Sequence, residues 1–160
     1  MEEKKITTTY SEFDSIEQLP MHLQNLLLRA REARLNAYAP YSGFLVGAAS
    51  LLENEKIVIG NNQENASFPV GICAERVSLT SASAQFPESK ILAIAITAGG
   101  KNNPTTSPVM PCGICRQTIL EYETKFKNDI ELVMQGNAGK IFLFKSIKQL
   151  LPLSFASFDF

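Results

Sequence analysis

Two short stretches of this chain have to meet in space, and that requirement constrains the fold more than anything else in the sequence. They are Cys73-Ala74-Glu75 and Pro111-Cys112-Gly113-Ile114-Cys115, and between them they hold all 3 cysteines. Three thiolates form a natural ligand set for zinc, and three protein ligands leave a fourth tetrahedral position open for water. Glu75, two residues from Cys73, is then placed to move protons for that water. Cys112 and Cys115 are three apart and share one helix face. Glu75 fits if the metal lies over a helix end, where first-turn side chains all reach it. Both stretches read as helix openings, and two helix N-termini converging on the site would favour thiolates. Three thiolates on Zn²⁺ leave a net negative charge, which Arg76 and Arg116 would offset by donating to sulfur.

Composition excludes several other uses. The 160 residues fit one domain with a substantial core. The net charge of −1 offers no basic surface for polymeric nucleic acid. The N-terminus is polar, with no secretion signal, and the longest apolar run, residues 91–96, is too short to span a bilayer. An odd cysteine count without a signal points to a reducing, cytoplasmic home.

Along the chain, residues 1–20 read as an N-terminal extension ahead of a single domain, 21–160. Residues 1–13 look like a polar lead-in, mobile unless docked. Ser15 and Gln18 have capping-box spacing. Apolar residues from Leu23 through Leu26, Leu27, Ala30, Ala33 and Ala37 recur at helical steps. His22, the sole histidine, reads as a solvated helix-start residue. Strands follow at 41–52 and 56–60 as a hairpin, then a polar loop 61–71 leads to Cys73. A helix over 73–86, an apolar strand over 90–97 of the parallel-sheet kind, a loop 99–110 and a second helix from 111 to about 125 come next. Strands over 129–135 and 140–144, a short helix over 147–151 capped by Ser146 and an apolar tail close the chain. The order α-β-β-α-β-α-β-β-α predicts an α/β fold, a mixed five-stranded sheet with helices packed on it. Both cysteine-bearing helices then open at one end of the sheet.

With these pieces in hand, the sequence from about Leu26 onward resembles the short-chain, homotetrameric cytidine deaminases. The matching segments are Tyr38-Ala-Pro-Tyr-Ser-Gly-Phe-Leu-Val-Gly-Ala-Ala49, Asn62-Gln-Glu-Asn-Ala-Ser67, Cys73-Ala-Glu-Arg76, Pro111-Cys-Gly-Ile-Cys-Arg-Gln117 and Leu150-Leu-Pro152 with Phe155. The resemblance implies a three-layer α-β-α cytidine deaminase-like fold and one zinc per chain on Cys73, Cys112 and Cys115. Glu75 would be the proton shuttle. It implies Asn62 and Glu64 on the ribose 3′-hydroxyl, Phe44 stacked on the pyrimidine, and Phe155 reaching into a neighbouring subunit's site. Arg76 and Gln117 would stand just behind the ligands. The activity implied is hydrolysis of cytidine and deoxycytidine to uridine and deoxyuridine plus ammonia: zinc-activated water attacks C4 while Glu75 carries protons to N3 and to the departing amine. The partners implied are a small pyrimidine nucleoside and further copies of the chain, with no nucleic-acid polymer and no membrane.

The sequence departs from that pattern in two places. Family members often carry Tyr where this chain has Phe68, which removes a hydroxyl near the site. The first twenty or so residues have no counterpart in the shortest members. Three other readings stand beside the main one. A deaminase of a modified cytosine nucleoside, of the blasticidin type, would share the zinc set and differ at the sugar contacts. A non-catalytic zinc-binding module would want a fourth ligand, which by type only His22 supplies. A redox Cys-Gly-Ile-Cys pair would leave Cys73 and Glu75 unexplained.

Overall fold

The structure is a computed structural model and describes residues 1–100, 102 and 104–156. Its spine is a six-stranded sheet in the order β1-β6-β5-β4-β2-β3. The strands are β1 (Ser11–Phe13), β2 (Phe44–Leu52), β3 (Ile57–Asn61), β4 (Ile91–Gly100), β5 (Glu131–Gln135) and β6 (Ile141–Phe144). β4 and β5 pair in parallel and every other neighbour is antiparallel. The apolar β4 is therefore parallel to one neighbour only. Its apolar run reflects burial on both faces, which the central position of β4 imposes whatever the strand direction.

Helix α1 (Met21–Leu35) covers one face of the sheet, and α2 (Ala74–Gln85) and α3 (Gly113–Phe126) cover the other. Strand alternation divides the core accordingly. Ala49, Ala93, Ala95, Val133, Ile141 and Leu143 meet Leu23, Leu26, Leu27 and Ala30 of α1. Ala48, Ile94, Ile96, Leu132 and Met134 meet Leu79 and Ala82 of α2 and Ile119 and Leu120 of α3. Small alanines line the α1 side, so that helix sits close to the sheet. The result is the expected three-layer α-β-α stack.

The sheet has six strands where the sequence predicts five. The added strand is β1, which pairs Ser11 with Leu143 and Phe13 with Ile141 along the β6 edge. Tyr10 packs its ring on Phe142 and Phe144 at 4.6 and 5.2 Å, and Lys140 pairs with Glu12 and Asp14. The last three residues of the lead-in thus form a docked strand that covers a sheet edge. Ser15 does precede a short 3₁₀ turn, Ile16–Gln18, but its side chain makes no cap; Gln18 Oε1 instead accepts from the Asp14 N–H at 2.9 Å. Ser146 caps the last turn, Ile147–Gln149, in a full capping box. No helix among the described residues is long and apolar enough to cross a membrane.

Candidate metal centre and adjoining cavity

Cys73 is the residue just before α2 and Cys112 the residue just before α3, with Cys115 in the first turn of α3. Local packing fixes both helix starts. A Cβ on Gly60 would lie 2.5 Å from the Ala74 carbonyl and from the Ser78 N–H, so β3 approaches the first turn of α2 closely because Gly60 has no side chain. Ser78 Oγ pins the same turn, donating to the Val58 carbonyl at 2.9 Å and pairing with Ser50 Oγ at 2.6 Å. At α3, Arg116 Nε donates to the Pro111 carbonyl at 2.8 Å and an outer nitrogen to the Leu150 carbonyl at 2.7 Å.

The three sulfurs lie within 4.8 Å of one another, the one such group of potential metal ligands among the described residues. Cys73 and Cys112 are 4.0 Å apart and Cys112 and Cys115 are 3.5 Å apart. Tetrahedral zinc with Zn–S bonds near 2.3 Å requires sulfur separations of roughly 3.8 Å, so the trio fits the ion. Within it the Cys115 thiol donates to Cys73, which holds the Cys73 thiol down at about 7 against burial and the nearby Glu75 charge, and pushes Cys115 up. Arg76 adds a smaller push on Cys73 in the same direction as Cys115. Arg116 corrects the sequence reading: its guanidinium serves backbone carbonyls rather than sulfur, because the turn at Leu150 comes within its reach.

Glu75 is 5% exposed, and burial raises its carboxyl above the ordinary value, with its own backbone N–H and Cys115 pulling the other way. It lines a cavity of about 320 Å³ together with Cys73 and Cys112, near the small end of ligand-sized cavities. Val46, Ile96, Ala98, Val109 and Met110 give it an apolar lining, and Asn62, Gln63 and Glu64 bring polar groups to it. A larger concavity, about 630 Å³, runs along the outer face of α3 past Ile114, Gln117 and Tyr122. It holds none of the cysteines, so the chemistry belongs to the smaller one.

The remaining expected residues fall in three groups. Asn62 and Glu64 are at the cavity, and both are already anchored. Asn62 Oδ1 accepts from the Val46 N–H at 2.8 Å and its Nδ2 donates to the Phe44 carbonyl at 2.9 Å. Each atom keeps capacity for one further partner. Glu64 accepts from Ser42 Oγ and from the Tyr41 N–H at 2.9 Å, which hold its carboxyl below the ordinary value. Phe68 lines the cavity at 75% exposure, its ring edge-on to Tyr41 at 5.8 Å. Phe44 does not line this cavity; it stands two residues before Val46, on the same face of β2. Phe155 lies outside too, 78% exposed, with its carbonyl held by Gln117 Nε2 at 2.8 Å. Phe158 and Phe160, expected in the same apolar tail, lie outside the described residues. His22 is far from the cysteines in sequence and layer, paired with Glu131 at 3.3 Å. The sequence reading missed the apolar lining. Val109 and Met110 immediately precede Pro111, so their proximity to Cys112 was there to be used.

Comparison with known proteins agrees with this geometry. Residues 21–127 match the family model described as the cytidine and deoxycytidylate deaminase zinc-binding region. A cytidine deaminase of Halalkalibacterium halodurans is 37% identical over 139 residues, covering 87% of this chain and 98% of that protein. One from Sporosarcina psychrophila is 40% identical over 119 residues, covering 69% of this chain and 83% of that protein. The crystal structure of cytidine deaminase from Burkholderia pseudomallei superposes with a TM-score of 0.72 at 37% identity, covering 86% of this chain and all of that one. With the family model matched over residues 21–127 and relatives 37–40% identical over most of its length, this chain belongs to the cytidine and deoxycytidylate deaminase family.

Proposed function

We propose that the protein hydrolyses cytidine and deoxycytidine to the corresponding uridines and ammonia. The observation that carries this reading is the shared cavity: Cys73, Cys112 and the buried Glu75 line the same cavity as Asn62 and Glu64. Cys73, Cys112 and Cys115 would hold one zinc ion, which supplies Lewis-acid activation of a water molecule. Glu75 takes a proton from that water and delivers it to N3 of the pyrimidine. The water oxygen bonds to C4, and Glu75 passes the proton left on that oxygen to the amine as the C4–N bond breaks, so one water is consumed and one ammonia released. Burial supports this role, since a carboxyl raised toward neutrality both accepts and returns protons readily.

The free capacity on Asn62 and the carboxylate of Glu64 suit a ribose hydroxyl, and the apolar lining suits the flat base. Phe68 contributes ring surface without a hydroxyl. Exposed Ile114 on the α3 concavity, and exposed Phe155 tied to α3 through Gln117, support association with further copies of the chain, in the homotetramer that the family resemblance implies, with Phe155 entering a neighbour's cavity. Phe44 would then complete the base-stacking surface at the rim. Three free thiols suit the reducing cytoplasm.

A substrate panel tests the reading. Cytidine and deoxycytidine should each yield the uridine product, and free cytosine, which lacks the sugar, should be turned over at least about a hundredfold less efficiently. Preference for free cytosine would remove the roles given to Asn62 and Glu64.

A further inference from the structure

Asn137, in the turn between β5 and β6, holds a loop that the cavity depends on. Its backbone N–H donates to the Thr105 carbonyl at 2.6 Å, and its side-chain Oδ1 accepts from the Thr105 N–H at 2.9 Å. One residue thereby satisfies both backbone groups of Thr105, a two-point clasp like that between paired strand residues.

The surrounding backbone is shaped for this clasp. A Cβ on Gly99, in β4, would lie 1.4 Å from Asn137 Oδ1, and the three atoms nearest to it all belong to the Asn137 side chain. A Cβ on Gly136 would lie 2.2 Å from the Thr105 carbonyl, and one on Gly139 would lie 2.1 Å from that of Thr106. Gly139 also has φ +83°, a conformation that favours glycine. Thr97 Oγ1 donates to the Gly136 carbonyl at 3.0 Å, tying the turn to β4. Thr105 leads within five residues to Val109 and Met110, two members of the cavity wall, and then to Pro111 and Cys112. Residues 104–110 belong to no helix or strand, so their placement relies on contacts of this kind.

We propose that Asn137 is a positioning residue for the substrate site. By clasping Thr105 it sets Val109 and Met110 as the wall against which the base packs. This inference rests on the nucleoside reading above and adds a determinant of affinity to it.

The test uses zinc-loaded enzyme and three variants. Asn137→Ala removes the acceptor and should raise KM for cytidine about tenfold, with kcat within about threefold and zinc content unchanged. Asn137→Asp keeps an acceptor for the Thr105 N–H and should restore KM to within about twofold of the starting enzyme. Gly99→Ala displaces the same side chain, so it should raise KM in the parent but change little in an Asn137→Ala background. Hydrogen exchange of peptides spanning 104–110 should be faster in Asn137→Ala than in the parent. Parental KM in Asn137→Ala, or a Gly99→Ala cost equal in both backgrounds, would overturn the proposal. Parental enzyme inert on cytidine would sink the substrate reading instead, and exchange would then judge the clasp: faster exchange supports it, unchanged exchange overturns it.

Discussion

Gln117 Nε2 donates to the Phe155 carbonyl at 2.8 Å, tying the cysteine-bearing helix α3 to the C-terminal tail. Phe155 itself is exposed, so the bond positions a side chain that has little to pack against within its own chain. Gln117→Ala should free the tail. A bond of this kind contributes about 1 kcal/mol, so KM for cytidine should rise about fivefold with zinc content unchanged. Steady-state kinetics on the zinc-loaded variant check this, and loss of zinc instead would place Gln117 among the supports of the metal.

Glu75→Gln should retain zinc and lose turnover by about 10²- to 10⁴-fold, the usual worth of a positioned acid–base group. Metal analysis beside the rate measurement separates a lost proton carrier from a lost metal site. Near-normal turnover would remove Glu75 from the role given to it.

Glu123 is 2% exposed and joins three elements. Its carboxylate accepts from the N–H groups of Ile130 and Ile147 at 2.9 and 3.0 Å and from Ser146 Oγ at 2.9 Å. Glu123→Ala leaves these buried donors unpaired, at a cost of about 3 kcal/mol or more. For a chain of this size that lowers Tm by roughly 6–12 °C, to be read by thermal unfolding. A shift under about 2 °C would show that water replaces the carboxylate at little cost.

Removing residues 1–14 should uncover the β6 edge and the Phe142 face. Loss of the Tyr10 ring contacts and the short ladder should cost about 1–2 kcal/mol. The free edge should promote association at high concentration, visible by light scattering. A truncated protein with unchanged Tm and unchanged mass would show that the arm does not guard the edge.

Glu64 gives a pH dependence. Ser42 Oγ and the Tyr41 N–H hold its folded-state carboxyl below the ordinary 4.5. Its contribution is therefore fully present above about pH 4.5 and is lost as pH falls through the lowered value. Glu64→Gln should flatten the fall of the urea midpoint below pH 4.5. An unchanged acid limb would mean that the loop is held by other contacts.

The parts of this molecule legible in the sequence are those whose signal is local. The cysteine spacing marks the metal trio, and the place of Glu75 at the cavity follows from its standing two residues from Cys73. Helix α1 shows in the three- and four-residue recurrence from Leu23 to Ala33, and it ends at Leu35, two residues before the expected Ala37. β1 was not legible: Ser11, Glu12 and Phe13 are too few and too polar to display a strand period, and the strand exists because β6 offers an edge. Arg116 was misread for a related reason, since the carbonyl of Leu150 reaches it only in the folded chain. The clasp of Asn137 on Thr105 depends on space beside Gly99, which no spacing rule reports.

The central claim is a zinc-dependent attack of water on C4 of a cytosine nucleoside. The most direct measurement is ammonia release from cytidine with zinc quantified on the same sample. The account predicts turnover with about one zinc per chain, abolished by chelation and restored by adding zinc back. Full zinc with no turnover of cytidine or deoxycytidine would contradict it, as would undiminished turnover by a chain stripped of the metal.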